Sequence, residues 1–204
     1  MVTDTIPIAP YISYIPPSEE PLSANVVLME GAQYLWLYDV GNAPEVAEII
    51  RRSGKGVCAV LSHFHPDHIG NLSRLDCEEI YQCRNTFGYT HRGVVIGEDT
   101  FLEDGELRLH LFPVPSCHAK GSLALEVNET WCFLGDAAYA TRKNGQAVYN
   151  TGLLIELIRR LEQVRATYLL MSHHDPFVQK REEVLDWLNE IAALRRPGEA
   201  FIPV

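Results

Sequence analysis

Short apolar runs, each followed by a turn or a helical segment, recur along the whole chain. Such runs, rich in β-branched and aromatic residues and bounded by Gly, Pro or Asn, are typical of strands. They predict strands at residues 11–15, 25–29, 34–38, 57–61, 80–82, 122–127, 131–134 and 168–171. An Asp-Gly pair at 104–105, followed by alternating leucines at 107, 109 and 111, predicts a hairpin.

Amphipathic segments separate these strands. Apolar residues recur every three or four positions at 46–50, 153–164 and 184–194, which is the spacing of one helix face. Asn42 is the predicted N-cap of the first helix, which should end near residue 53, and another helix should follow Cys83. Because strands and helices occur in both halves with no linker between them, we expect a layered α/β fold with two sheets in one domain, residues 1–204.

Composition narrows the function classes. The 27 acidic and 17 basic residues give a formal net charge of −10, which would repel a phosphate backbone, so nucleic acid is not an expected partner. The N-terminal segment lacks the organisation of a signal peptide, and no apolar run reaches the ~20 residues that span a membrane. We therefore expect a cytoplasmic protein that acts on a small molecule, with no membrane partner, and whose five cysteines are free thiols.

The strongest chemical signal follows the buried strand predicted at 57–61. It is the sequence HFHPDH, from His63 to His68. In an extended chain, residues two apart point the same way, so His63 and His65 can face one metal ion. Asp67 and His68 continue the turn and can face a neighbouring position. Three imidazoles and a carboxylate within six residues suit zinc or iron, and the alternative is a chance cluster of surface histidines.

This segment resembles the HxHxDH signature of the metallo-β-lactamase superfamily, and the order of the flanking segments fits as well. Lys120 departs from the family pattern, because proline is usual at its position. The resemblance covers about residues 20–175. Beyond the signature, it rests on residues 37–41 with Asp39, 118–122 with His118, 134–136 with Asp136, and 172–174 with two histidines.

The resemblance implies a four-layer αββα sandwich with a metal site at one edge, between the sheets. It implies two divalent metal ions, with zinc expected and iron or manganese as alternatives. The implied ligands are His63, His65 and His118 for one ion, Asp67, His68 and His173 for the other, and Asp136 bridging both. His174 competes with His173, which is preferred because the small Ser172 precedes it. Asp39 is expected to accept a hydrogen bond and so orient the ligand loop.

A metal pair lowers the pKa of a shared water toward neutrality. The chain is therefore predicted to be a dinuclear metallohydrolase that attacks a small ester, thioester or lactone with metal-activated hydroxide, with Asp67 as its catalytic carboxylate. Asp136 stands where cysteine-bearing β-lactamases carry cysteine, which disfavours an antibiotic-degrading role.

Two other functions compete with this prediction. One is a persulfide dioxygenase-like enzyme with a single iron held by His63, His118 and Asp136. The other is a non-catalytic binding protein that kept the fold. Tyr139 and Tyr149 are candidates either for donating a hydrogen bond to substrate or for packing in the core.

Overall fold

The structure, a computed structural model, describes residues 5–204. The first four residues belong to the predicted domain 1–204 and to the segment judged to lack a signal peptide, and they lie outside the described range. The strands of the first half are β1 (Ile6–Ala9), β2 (Ile12–Ile15), β3 (Ser18–Glu19), β4 (Leu22–Ser23), β5 (Val26–Glu30), β6 (Tyr34–Tyr38), β7 (Gly56–Val60), β8 (Cys77–Gln82) and β9 (Val94–Val95). Those of the second half are β10 (Thr100–Asp104), β11 (Leu107–Val114), β12 (Ser122–Val127), β13 (Trp131–Gly135), β14 (Thr141–Lys143), β15 (Gln146–Asn150), β16 (Tyr168–Met171), β17 (Val178–Lys180) and β18 (Phe201–Pro203).

Two large sheets divide the chain between its halves. The first sheet has the order β1-β2-β5-β6-β7-β8-β9, and the second has the order β10-β11-β12-β13-β16-β17. Strands β3 and β4 form a small ribbon, and β14, β15 and β18 form a third, three-stranded sheet. The helices are α1 (Pro44–Arg51), α2 (Pro66–Ile69), α3 (Arg84–Thr90), α4 (Thr151–Glu162) and α5 (Arg181–Ala193), and a 3-10 helix covers Gly70–Arg74.

Three apolar layers hold these elements together. The two sheets face each other across a layer that includes Met29 and Phe133. Ile50 of α1 packs on the outer face of the first sheet, and Leu157 of α4 and Leu188 of α5 pack on the outer face of the second. Each such fully buried side chain contributes about 1.5–3 kcal/mol. The order helix, sheet, sheet, helix confirms the predicted α/β fold with an αββα arrangement.

Most predicted elements agree with the structure, but some local predictions are wrong. Asn42 does not cap α1, since the N-cap is Ala43 and it makes no side-chain hydrogen bond. The Asn42 side chain instead donates to the carbonyl of Leu22, at 3.3 Å. The strand predicted at 80–82 begins three residues earlier, at Cys77. In the second half, Asn150 caps α4 by accepting the N–H of Leu153 at 3.0 Å.

Parallel strand pairs create one polar edge. β6 runs parallel to β7 in the first sheet, and β13 runs parallel to β16 in the second. The carboxyl ends of parallel neighbours lie at the same edge of a sheet, a usual place for functional residues in α/β folds. The N–H of Leu123 donates to the carbonyl of Ser62 at 2.8 Å, which joins the sheets there. Among residues 5–204, no helix is both long and apolar enough to cross a membrane.

Candidate metal centre

The loop after β7 carries four of the predicted ligands. His65 occupies the N-cap of α2 with extended backbone, at φ −67° and ψ 144°, because the following Pro66 disfavours a helical conformation. His63 and His65 therefore stay in the extended stretch. Asp67 and His68 come from the single turn of α2 that follows.

His63, His65 and His118 form a first group of candidate ligands. The Nδ1 atom of His65 lies 2.9 Å from Nε2 of His63 and 3.1 Å from Nε2 of His118. His118 lies between β11 and β12, so it reaches this group from the second sheet. Neutral imidazole nitrogens carry lone pairs, and three of them converging on one point suit a cation.

Asp67, His68 and His173 form a second group. The Oδ2 atom of Asp67 lies 3.0 Å from Nε2 of His173 and 3.4 Å from Nε2 of His68. His173 follows β16 and has a left-handed backbone, at φ +61°, which is uncommon for a residue other than glycine. Its N–H donates to the side-chain oxygen of Asn25 at 2.9 Å, and this contact holds the strained backbone in place.

Asp136 lies between the two groups. Its Oδ2 atom is 3.2 Å from Nε2 of His118 and 3.4 Å from Nε2 of His68, the position expected of a bridging carboxylate. The preceding Gly135 has φ +55°, and a Cβ there would lie 2.5 Å from the Ser62 side chain. Glycine at this position therefore lets the end of β13 approach the loop after β7.

The geometry favours His173 over His174 as the seventh candidate ligand. His174 turns its Nδ1 atom toward the carbonyl of Pro176, at 3.1 Å, and belongs to neither group. All seven predicted residues thus come together, while metal binding by them remains a prediction. We call this set the ligand cluster: His63, His65, Asp67, His68, His118, Asp136 and His173.

Asp39 and Ser62 support the cluster from behind. Oδ2 of Asp39 lies 2.7 Å from Nδ1 of His68, which leaves Nε2 of that ring facing the cluster. Ser62 donates its N–H to Oδ1 and its hydroxyl to Oδ2 of Asp39, both at 2.7 Å. The accepting role of Asp39 agrees with the sequence analysis, whereas the roles of Ser62 and Asn25 were not predicted. Ser62 stands beside the motif and could have been noticed, but no local signal marks Asn25.

The pKa values of the clustered histidines are shifted in opposite directions: those of His63 and His65 are lowered, and that of His68 is raised. Burial and the neighbouring imidazoles hold the pKa of His63 far below its ordinary range, so this ring is neutral. Burial and His118 lower the pKa of His65 as well. Burial also opposes a charge on His68, but the carboxylates of Asp39 and Asp136 outweigh it and raise the pKa of His68 to about 10. A cation at Nε2 would replace that proton, as metal binding generally does.

Two buried polar atoms at the centre of the cluster indicate what it would hold. Within residues 5–204, Nε2 of His68 and Oδ1 of Asp136 are buried and make no hydrogen bond. An unpaired buried polar atom costs about 1–3 kcal/mol, and a bound cation would satisfy both atoms. The donor set of five imidazoles and two carboxylates matches the ligand preferences of zinc, and iron and manganese accept the same types. The cluster therefore fits divalent cations.

Both tyrosines near the cluster have structural contacts. Tyr139 donates its hydroxyl to the carbonyl of Ser172 at 2.7 Å. Tyr149 is buried and donates to the carbonyl of Ala138 at 3.0 Å. Because each hydroxyl proton is already used by a backbone oxygen, the packing interpretation is favoured over donation to substrate.

The five cysteines and His110 lie outside the ligand cluster. All five cysteines are free, as expected, and Cys58 and Cys132 are buried in strands. Cys117 is partly buried next to His118, with its Sγ atom 3.6 Å from the carbonyl of Asn150. His110 lies on β11 in a separate ion-pair network.

Comparison with known proteins agrees with this geometry. A family model described as the metallo-β-lactamase superfamily matches residues 20–76, which include the HFHPDH segment. No curated protein matches the sequence.

Solved structures show the same fold at low sequence identity. A flavo di-iron protein from Thermotoga maritima superposes with a TM-score of 0.69 at 14% identity, over 92% of this chain and 62% of that one. This chain thus spans about three fifths of that protein's length. A β-lactamase domain protein from Burkholderia ambifaria gives 0.71 at 16% identity, over 93% and 76% of the two chains. An archaeal metallo-β-lactamase superfamily protein from Sulfolobus tokodaii gives 0.66 at 18% identity, over 91% and 87%.

These identities show a shared fold and nothing about substrate. The family match adds the signature segment itself. The other candidate ligands each lie beside a strand of the second sheet: His118, Asp136 and His173. Residues 20–76 therefore match the metallo-β-lactamase superfamily in sequence, and most of the chain shares its fold with the solved structures named above.

Proposed function

We propose that this protein is a dinuclear metallohydrolase that acts on a small ester, thioester or lactone, with zinc as the expected metal. The observation that carries the proposal is that the candidate ligands form two groups joined by Asp136. A single metal would need only one of them, whereas Asp67, His68 and His173 form a complete second set. A pair of bound divalent ions would act as a Lewis acid and lower the pKa of water toward neutrality.

The chain's own residues prepare the site for that chemistry. The neutral rings of His63 and His65 offer lone pairs without first losing a proton. Asp39 and Ser62 keep His68 oriented through buried hydrogen bonds, so little reorganisation is needed when a cation binds.

Asp67 is the carboxylate that we assign to proton movement. Burial opposes its ionised form, but the hydrogen bond from His173 and the nearby His68 outweigh burial and lower its pKa. Asp67 is therefore a carboxylate at neutral pH. It lies at the margin of the cluster, with 13% of its side chain exposed, where it can accept a proton and pass it to solvent.

The substrate class follows by elimination. A net charge of −10 disfavours nucleic acid and other polyanions. A carbonyl compound of modest size is attacked by hydroxide and needs no extended binding surface. The di-iron protein of similar fold keeps iron open as an alternative metal for this site.

Elemental analysis of the protein purified without added metal tests the proposal. About two zinc ions per chain, followed by turnover in a panel of esters, thioesters and lactones, is the expected result. One iron per chain, with oxygen uptake on addition of a persulfide, would instead establish the mononuclear dioxygenase. Two bound metals with no turnover across the panel would contradict the hydrolase assignment.

A further inference from the structure

Two stacked aromatic rings, the exposed Tyr89 and the partly buried Phe64, form a platform beside the ligand cluster. Phe64 stands between His63 and His65 in the motif, and its ring stacks on Tyr89 of α3 with centroids 4.6 Å apart and planes within 3°. The Phe64 ring also meets the His65 ring edge-on, with centroids 5.0 Å apart. The platform is therefore continuous with a candidate metal ligand.

This platform is not needed to fill the core. Tyr89 is 62% exposed, and a large aromatic ring with that exposure contributes little to the burial that stabilises the fold. Apolar surface left exposed at the margin of a polar site is a common mark of ligand binding. Ring faces favour flat aromatic or aliphatic groups, which lose contact with water when they lie on them.

A groove of about 360 Å³ continues from the platform. Tyr89 forms one wall. The lining also includes Ile69 and Gly70, which directly follow the candidate ligand His68. His68 therefore belongs to the ligand cluster, whereas the next two residues, Ile69 and Gly70, line the groove. Ring contacts thus run from His65 through Phe64 to Tyr89, and Tyr89 lines the groove.

The lining of the groove indicates which chain it accepts. Leu72 and Leu75 supply apolar surface, and Ser73 and Thr90 supply hydroxyls. The charged group in the lining is the guanidinium of Arg92, which donates to the carbonyl of Leu72 at 2.9 Å. Aromatic rings alone would also attract a cation such as a quaternary ammonium. The positive charge of Arg92, with no carboxylate in the lining to offset it, would repel a cationic ligand. An uncharged substrate chain is therefore favoured.

We propose that Phe64, Tyr89 and the adjoining groove bind the apolar acyl or aryl portion of the substrate, and that the protein is therefore selective for medium-chain acyl or arylacyl compounds. This rests on the proposed hydrolase function. Tyr89 is a specificity-determining residue in this scheme, because it contacts the non-reacting part of the substrate and no reacting atom.

The test uses the metal-loaded full chain and thioesters of N-acetylcysteamine, whose small leaving group stays constant while the acyl chain grows from acetyl to octanoyl. We expect kcat/KM to rise by up to about fourfold per methylene until the groove is filled, mainly through a lower KM. Tyr89→Ala should flatten this rise, so that kcat/KM differs little between acetyl and octanoyl thioesters. Tyr89→Phe, which keeps the ring, should retain it.

Phe101→Ala is the matched control, because Phe101 is also a highly exposed aromatic, at 71%, but lies on β10 at the edge of the second sheet. It should behave as wild type. A rise with chain length that survives Tyr89→Ala would overturn the platform. So would preference for a chain ending in trimethylammonium over its tert-butyl isostere.

Binding of octanoate, measured by calorimetry, separates this proposal from the proposed function. If no compound in the panel is hydrolysed, yet octanoate binds wild type and Tyr89→Phe but at least about tenfold more weakly to Tyr89→Ala, the hydrolase fails and the subsite stands. If thioesters are hydrolysed without regard to chain length, the hydrolase stands and the subsite fails.

Discussion

The ligand cluster lies where the two sheets meet, and a second cluster of charged residues, the outer cluster, lies on the second sheet; the two are built on opposite principles. The outer cluster comprises Asp99, His110, Glu126 and Arg160. Its histidine lies 2.9 Å from Oδ2 of Asp99 and 3.1 Å from Oε2 of Glu126. The guanidinium of Arg160 pairs with the other oxygen of Asp99. Oε1 of Glu126 accepts the N–H of Ala166 at 2.6 Å.

In the outer cluster every charge has an opposite partner. Burial opposes a charge on His110, but the hydrogen bonds to Glu126 and Asp99 outweigh it and raise the pKa of His110. The ligand cluster instead places imidazole against imidazole and leaves Nε2 of His68 and Oδ1 of Asp136 without hydrogen bonds. Residue types alone do not separate a metal site from an ion-pair network. Buried polar atoms that converge on one point without hydrogen-bond partners do.

Cavity volume does not distinguish the metal site from the ion-pair network either. A cavity of about 330 Å³ lies beside the outer cluster, lined by His110, Glu126 and the exposed Phe101, and it includes no residue of the ligand cluster. The comparison therefore predicts that removing a histidine has different consequences in the two places.

The largest difference should appear on removing one histidine from each cluster. His65→Ala deletes the nitrogen that lies between His63 and His118, so metal per chain should fall and activity should drop by more than about a hundredfold. His110→Ala should retain both. Elemental analysis and hydrolysis assays on the two purified variants measure this, with circular dichroism to establish that each folds. Wild-type metal content in His65→Ala would show that the ligand assignment is wrong.

A smaller effect should distinguish two adjacent histidines. His173→Ala removes a partner of Asp67 in the second group, whereas His174 faces the carbonyl of Pro176. We expect His173→Ala to lose about one metal of two, and His174→Ala to keep both. Titration of the metal-free variants with metal, followed by calorimetry, measures how many ions each variant binds. The reverse order of losses would move the seventh ligand to His174.

The smallest effect concerns stability and pH in the outer cluster. Because the folded pKa of His110 is raised above 6.5, its pairing stabilises the fold fully below that pH and is lost as pH rises through the folded pKa. The pKa values of Asp99 and Glu126 are lowered, so their contribution is present above their unfolded pKa values and lost in acid. We expect His110→Gln to cost about 1 kcal/mol at about pH 5.5 and less at about pH 8.5.

Urea unfolding of wild type and His110→Gln at both pH values measures this difference. Taking the difference between the two proteins cancels the titration of the ligand cluster, which both share. An equal cost at both pH values would mean that His110 contributes by packing against Phe101, whose ring lies 4.3 Å away, and not by its charge.

Local pattern predicted much of the fold. The strand at Tyr34–Tyr38 and the strand at Tyr168–Met171 were predicted with their observed bounds, because a short apolar run between polar turns has few alternatives. The prediction of Asn42 as the N-cap of α1 was wrong because Asn42 makes contacts with the neighbouring ribbon instead. Its N–H donates to Oγ of Ser23 at 2.9 Å, and its side chain donates to the carbonyl of Leu22. Such a tertiary contact competes with capping, and sequence spacing does not reveal it.

The sequence by itself determined the first four candidate ligands, since His63, His65, Asp67 and His68 lie within six residues and their directions follow from an extended segment and one helical turn. The resemblance also named His118, Asp136 and His173, but their convergence with the first four is visible only in the structure. The convergence of His118, Asp136 and His173 depends on which strands are parallel neighbours and on how the two sheets face each other. Asn25, 148 positions from His173, and the Phe64–Tyr89 platform became visible only there. The physical reason is that side-chain direction is set by local backbone geometry, whereas distance between remote segments is set by packing of the whole core.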